Sequence, residues 1–242
     1  MIDVMHLYAQ LSVQILLPMT IGALAILMIA LLKGDICPGQ RGRLHKQLPI
    51  ITCLFFVCAG AMPAFVVPAS LLIYFSMQTK SQTKKGKTRD SGPVLLLGLA
   101  LFSATLFWLY AMISPILDNK LVSIFGLVLA SLATLIFLGA ALAHLLMIRA
   151  RTRLQAFHTL LPVAGILSLM LLVLSVLIQA HWVWADDSSA VIEIITKAFP
   201  VLLMAIILWS WHLFRSSKVN LTQISLALLF GLVGSGLLLP LF

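Results

Sequence analysis

"CAGAMPAFVVPAS", Cys58 to Ser70, lies inside a run that carries no charge between Lys46 and Lys80. Pro63 and Pro68 interrupt it. If the run crosses a membrane once, every later segment has one orientation; if it enters, turns and leaves by the same side, every later segment has the other. As a single helix the run would be about 50 Å long at 1.5 Å per residue, well beyond a hydrocarbon core of roughly 30 Å. Either half of it falls short of the roughly 20 residues that a full span needs. Proline removes a backbone donor and breaks the helical ladder. Irregular backbone at membrane depth needs other protein segments around it.

The flanking charges decide between the two paths. Lys33, Arg41, Arg43 and Lys46 precede the run, and Lys80, Lys84, Lys85, Lys87 and Arg89 follow it. Arg149, Arg151 and Arg153 fill a third basic loop, and Arg215 and Lys218 a fourth. Of the 16 Lys and Arg residues only Lys120 and Lys197 lie elsewhere, alongside Asp3, Asp118, Asp186, Asp187 and Glu193. Basic loops face the cytoplasm, so the loops on both sides of the run belong inside. The run must return to its own side, as a shortened helical hairpin bent near Gly60–Pro68. A single crossing would put Arg149, Arg151 and Arg153 outside and Asp186 and Asp187 inside.

The expected fold is therefore all-α: a polytopic membrane bundle of six full spans plus one hairpin, seven or eight helices in all. The N-terminus and the C-terminus are expected outside. The spans are read at 10–32, 93–116, 121–148, 157–181, 191–214 and 219–242, with the hairpin over 48–78. Residues 1–242 then form a single transmembrane domain. Composition agrees, with 62% hydrophobic residues, 10% charged and a mean hydropathy of +1.12. A soluble domain is about half apolar and a quarter charged.

The net charge of +9 follows from loop placement and does not point to nucleic acid. Cys37, Cys53 and Cys58 show no paired or metal-ligand spacing, so neither a disulfide framework nor a zinc site is expected. The first apolar segment has an acidic flank at Asp3 and no small-residue cleavage site before Lys33, so it reads as a span and not as a signal peptide. Gly231, Gly234, Ser235 and Gly236 in the last span make a small-residue seam that lets helices approach closely.

Ionisable groups inside a membrane are costly and so mark function by default. His144, His158 and His212 fall at similar depth near the basic ends of their helices. Histidines on facing helices are the ligand type of a b-type haem, although His212 also stands three residues before Arg215 and can face headgroups. The acidic end holds a denser polar group in "IQAHWVWADDSS", Ile178–Ser189. Trp182 and Trp184 fit an interfacial belt. His181 is joined by Glu193 and Lys197, which lie four apart and so on one helix face. An imidazole and a carboxylate near the headgroups can accept the protons that a quinol releases on oxidation; the same residues can dock a loop of a partner. No phosphate-cradling glycine loop and no kinase or hydrolase motif occurs. A small transporter is the competing class, but the interrupted run carries no charge of the kind that transporters place in broken helices.

"ALLKGD", Ala30–Asp35, resembles the close of the first span in the membrane anchor subunit of anaerobic dimethyl sulfoxide reductase. "LLPVAGILSLMLLVLSVLIQA", Leu160–Ala180, followed by a polar loop, is similar to a late helix of that family. The glycine-rich last span and the loop order are also family-like. The resemblance implies a subunit of a molybdoenzyme complex in the bacterial inner membrane. Such an anchor tethers an iron–sulfur subunit and a molybdopterin catalytic subunit, draws menaquinol from the quinone pool, and holds no tightly bound redox cofactor. It would be non-catalytic or quinol-oxidising. The family has two full helices where this chain has one interrupted run. Its histidine and glutamate for quinol, near the outer ends of those helices, have no counterpart in "CAGAMPAFVVPAS". No quinol residue is therefore carried over: either the site lies at His181, Glu193 and Lys197, or the chain anchors without oxidising quinol efficiently.

Overall fold

The computed structural model describes residues 2–34, 36–79, 92–113, 121–184, 188–215 and 219–242. The charged residues of the second basic loop, Asp118, Lys120, Asp186, Asp187 and Lys218, lie outside the described residues. Six helices are long and apolar enough to cross a membrane, Val4–Lys33, Val94–Ile113, Phe125–Arg149, Gln155–His181, Ser188–Arg215 and Leu221–Leu241. Among the described residues there is no strand. The first span joins α1 (Ile2–Leu11) and α2 (Leu17–Lys33) through a π turn at Ser12–Leu16. There follow α3 (Pro38–His45), α4 (Leu48–Ala59), α5 (Val66–Gln78), α6 (Val94–Ile113), α7 (Leu121–Arg149), α8 (Gln155–Val183), α9 (Ser188–Arg215) and α10 (Leu221–Leu237).

The interrupted run folds as a hairpin. The α4 helix ends at Gly60, and the amides of Ala61 and Met62 both turn back to the Cys58 carbonyl. Met62 is extended (φ −139°, ψ 102°), as the residue before a proline prefers. Pro63 then opens a short 3-10 turn, Pro63–Phe65. Pro68 falls in the first turn of α5, where its missing N–H has no intrahelical acceptor to lose. Fully buried Phe65 stacks on Phe55 across the bend, at 6.3 Å between ring centroids and 4° between planes. The tip is tied down by the Tyr8 hydroxyl, which donates to the Val57 carbonyl. The far ends also meet, with the Phe75 ring packed edge-on to His45 at 5.6 Å. The chain thus comes back to where it entered, as the parity of basic loops requires.

The π turn has its own local cause. Pro18, at the start of α2, has no N–H to continue the ladder. A carbonyl upstream is left over, and the Trp108 indole of α6 takes it, donating to the Val13 oxygen at 2.9 Å.

Residues 33–47, read as a plain loop, contain a short helix instead. α3 buries Leu44 and His45 and turns Arg43 toward the α7–α8 connection. There the Arg43 Nε donates to the Ala150 carbonyl at 2.8 Å and Nη2 to the Arg151 carbonyl at 3.3 Å. Two basic loops distant in sequence are thus locked together at one pole. Arg151 takes a positive φ of 50° to make the tight turn. At the opposite pole the C-terminal Phe242 shares a small cavity with Gln14 of the first span and Leu127 near the start of α7.

The first span and α7 form the middle of the bundle. In their most apolar stretches 67% and 61% of residues are buried, against 22% for α9. Two glycines bring α2 and α7 together: a Cβ at Gly139 would lie 2.7 Å from the Gly22 Cα. The expected seam on the last span is also present, where Gly231 faces Leu138 and Phe137 of α7 and Gly234 faces Leu202 of α9.

The hairpin makes a labelling prediction. Cys37 is exposed at the basic pole, and exposed Gln78 ends α5. With Cys53 and Cys58 removed, Cys37 and a cysteine at Gln78 should react with an impermeant reagent from one side of the membrane. A cysteine at Ser188 should react only from the other. Reaction of Gln78→Cys from the side opposite Cys37, with Ser188→Cys then on the side of Cys37, would mean that the run crosses once.

Candidate functional site

The strongest polar constellation inside the bundle lies where α7, α8 and α9 converge toward the basic pole. His144 of α7 is fully buried. The indole Nε1 of Trp209 on α9 donates to its Nδ1 at 2.8 Å. An indole can only donate, so His144 Nδ1 is an acceptor and the proton sits on Nε2. That Nε2 meets Nδ1 of His158 on α8 at 3.0 Å and must be the donor. His158 then carries its own proton on Nε2, which points at the Thr152 carbonyl in the α7–α8 turn at 3.4 Å. The network itself thereby fixes two tautomers along a one-way chain from Trp209 to His144, His158 and the turn.

His212, also on α9, completes the group. Its ring stands edge-on to His144 at 5.8 Å between centroids, and its Nε2 bonds the His158 carbonyl at 3.1 Å. The carbonyl can only accept, so Nε2 holds the proton and Nδ1 is a bare lone pair. That Nδ1 is buried with no partner among the described residues. Local sequence makes room for the arrangement. Gly165 of α8 lies under the Trp209 ring, where a Cβ would come within 2.8 Å of its Cε3. Phe137 of α7 packs on the same indole at 6.1 Å.

This geometry limits the chemistry. A proton moving along the imidazoles stops at Trp209, whose N–H cannot accept it. The cluster therefore cross-links three helices and is no through-path. Nor do the residues fit a haem held between two histidines. Both nitrogens of His144 are engaged, and its Nε2 bonds His158 directly, with no gap for a macrocycle between the rings. Among the described residues, no group of three His, Cys, Asp or Glu could hold a metal ion.

The residues singled out for quinol lie at the other pole. Glu193 and Lys197 form an ion pair at 2.6 Å along one face of α9, with side chains 66% and 62% exposed. His181 lies in the last turn of α8 and is exposed. The ion pair joins two of the three. Trp184 is half exposed, as an interfacial ring should be. A further polar locus has no charged member. Gln14, Ser131, Thr134 and Ser235 line a cavity of about 20 Å³, and the Ser235 hydroxyl is buried with no partner among the described residues. One water needs about 10–15 Å³ and a few polar partners, so the space suits a single molecule.

Sequence reasoning placed the three histidines at one depth but missed Trp209 as their organiser. The available signal was its position three residues before His212, on the same side of α9. No curated protein and no solved structure shows significant similarity to the chain. A family model described as an integral membrane domain matches residues 1–241, and the chain belongs to that family of integral membrane domains.

Proposed function

We propose that this chain is the membrane anchor subunit of a respiratory molybdopterin oxidoreductase complex in the bacterial inner membrane. In this reading residues 1–242 are a single transmembrane domain. It tethers an iron–sulfur subunit and a molybdopterin catalytic subunit and passes them electrons from menaquinol. The observation that carries the reading is the fold of the interrupted run. The dimethyl sulfoxide reductase anchors have two helices at that place, and α4 and α5 are two helices running in opposite directions. The chain departs from that family in the length of this pair and not in the order of its helices. The resemblance at Ala30–Asp35 and Leu160–Ala180 points the same way.

Menaquinol oxidation releases two protons and two electrons. The electrons go to the iron–sulfur subunit, and the protons need an acceptor near the headgroups. His181 and Glu193 supply an imidazole and a carboxylate at the pole opposite the basic turns, and Lys197 holds the carboxylate in place. Purification at native expression should recover an iron–sulfur partner. Recovery of a monodisperse single chain with transport activity would overturn the assignment. In assembled membranes, His181→Ala and Glu193→Gln should each slow oxidation of a menaquinol analogue. Activity from an artificial donor that bypasses the anchor should persist. Full quinol oxidation in both variants would move the site elsewhere while leaving the anchor role standing.

A further inference from the structure

The bundle carries an unused cation at its basic pole. Arg43 spends its guanidinium on the Ala150 and Arg151 carbonyls. Arg215, in the last turn of α9, does not. Its Cζ lies over the Trp211 ring at 5.8 Å from the centroid. A cation–π contact of this kind orients a guanidinium without neutralising it. Among the described residues the salt bridge is Lys197–Glu193, at the far end of the same helix, and no carboxylate lies near Arg215. Trp211 is 48% exposed, and its indole N–H has no acceptor among the described residues. Two donors, one of them charged, are therefore neighbours on the exposed end of α9.

They stand beside a shallow, open groove along one face of α9, formed by Ile207, Ser210, Trp211, Phe214 and Arg215. The groove has a chemical gradient along it. Ile207 is 48% exposed and Phe214 is 83% exposed, both facing the surroundings of α9, the helix with the least buried span. Ser210 adds no competing donor, because its hydroxyl is already given to the Ile206 carbonyl at 2.7 Å. An occupant must therefore offer an anion to Arg215, an acceptor oxygen to the Trp211 N–H, and a hydrocarbon tail to Ile207 and Phe214. A soluble anion lacks the tail, and a zwitterionic lipid brings its own cation to the guanidinium.

We propose that this groove is a binding site for one anionic phospholipid of the phosphatidylglycerol type in the leaflet at the basic pole. The phosphodiester bonds the Arg215 guanidinium and the Trp211 N–H, and one acyl chain lies along Ile207 and Phe214. Hydrogen bonds between charged partners are short and about twice as strong as neutral ones. Basic pockets on the cytoplasmic side of membrane helices hold anionic headgroups by the same physics. The proposal does not depend on the anchor reading.

Thermal unfolding of the purified full chain in a neutral detergent tests it. The chain is titrated with phosphatidylglycerol, with phosphatidylcholine and with inorganic phosphate. Phosphatidylglycerol should raise Tm saturably, as a ligand specific to the folded state does, while the other two leave it unchanged. Arg215→Gln should raise the half-saturating lipid concentration at least about tenfold, as expected from losing one charge-assisted bond. Trp211→Phe, which keeps the ring and loses the N–H, should raise it by a smaller factor. Arg215→Lys should fall between wild type and Arg215→Gln. Lys197→Gln, at the other pole, should leave it unchanged. Native mass spectrometry should find one retained phosphatidylglycerol in the wild type and none in Arg215→Gln. Equal responses to both lipids, a response to phosphate alone, or an unchanged midpoint in Arg215→Gln would each overturn the site.

Discussion

Gly139→Leu is expected to prevent the middle of the bundle from closing. The atoms a Cβ would meet there are the Gly22 Cα at 2.7 Å, the Gly22 carbonyl carbon at 2.9 Å and the Ala23 nitrogen at 3.0 Å. All three are backbone. Overpacking in a core usually costs about 1–3 kcal/mol because side chains shift to make room. Backbone has no rotamer to change, so the whole of α2 must move away from α7. In lipid, close helix approach is itself the source of association, since the surrounding tails are as apolar as leucine. The expected loss is therefore at or above about 3 kcal/mol, the top of the overpacking range. Gly139→Ala should lose less. Gly98 on α6 is the control, because a Cβ there meets nothing within 4 Å. Gly98→Leu should unfold in a mixed-micelle SDS titration at the wild-type midpoint, and Gly139→Leu far below it. Coincident midpoints for the two variants would show that the glycine contact does not hold the bundle.

The second large effect belongs to His144. Leucine at this position keeps most of the volume but orphans the buried Trp209 N–H and the partly buried His158 Nδ1. A buried polar atom that loses its partner costs about 1–3 kcal/mol. Adding Trp209→Phe to His144→Leu removes one of those orphans together with its partner. The double variant should then be less destabilised than the sum of the singles, and the coupling of contacting residues in such cycles is about 0.5–3 kcal/mol. Unfolding midpoints of the four proteins give the coupling directly. Strict additivity would mean that the indole–imidazole bond contributes nothing to the fold.

The hairpin was legible because it follows from counting. Charges in loops alternate sides, and a run between two basic loops cannot cross once. Neither the prolines nor the length of the run would have settled this alone. Loop 33–47 was misread for a related reason. Pro38–His45 is mostly polar, so hydropathy gives it no helical face. It is helical because Leu44 and His45 are buried beneath the bundle end and Arg43 finds carbonyls to bond. These are tertiary causes with no local periodicity. The histidine cluster was half legible. Depth along a helix is readable from the distance to its basic end, but rotation about the helix axis is not. Only the fold shows that Trp209 faces His144. The α2–α7 glycine contact was missed because Gly22 stands singly in α2 and Gly139 lies far along α7 from Gly126, whereas Gly231, Gly234 and Gly236 announce themselves as a group.

The half-length of the hairpin also bears on how the protein is made. The α4 and α5 helices have 12 and 13 residues, and a segment needs roughly 20 to be accepted into a bilayer by itself. Neither can partition sideways into lipid as an independent unit during synthesis. They must enter as a pair, with their bend leading and the basic flanks left behind in the cytoplasm. Irregular backbone such as that at Gly60–Met62 is tolerated at membrane depth beside a protein surface. The Tyr8 hydroxyl on the Val57 carbonyl and the Trp108-capped π turn are parts of that surface. Tyr8 emerges from the ribosome before the hairpin, and α6, which carries Trp108 and the Phe107 ring set against Phe65, emerges after it. The finished hairpin therefore rests on contacts from segments translated both before and after it.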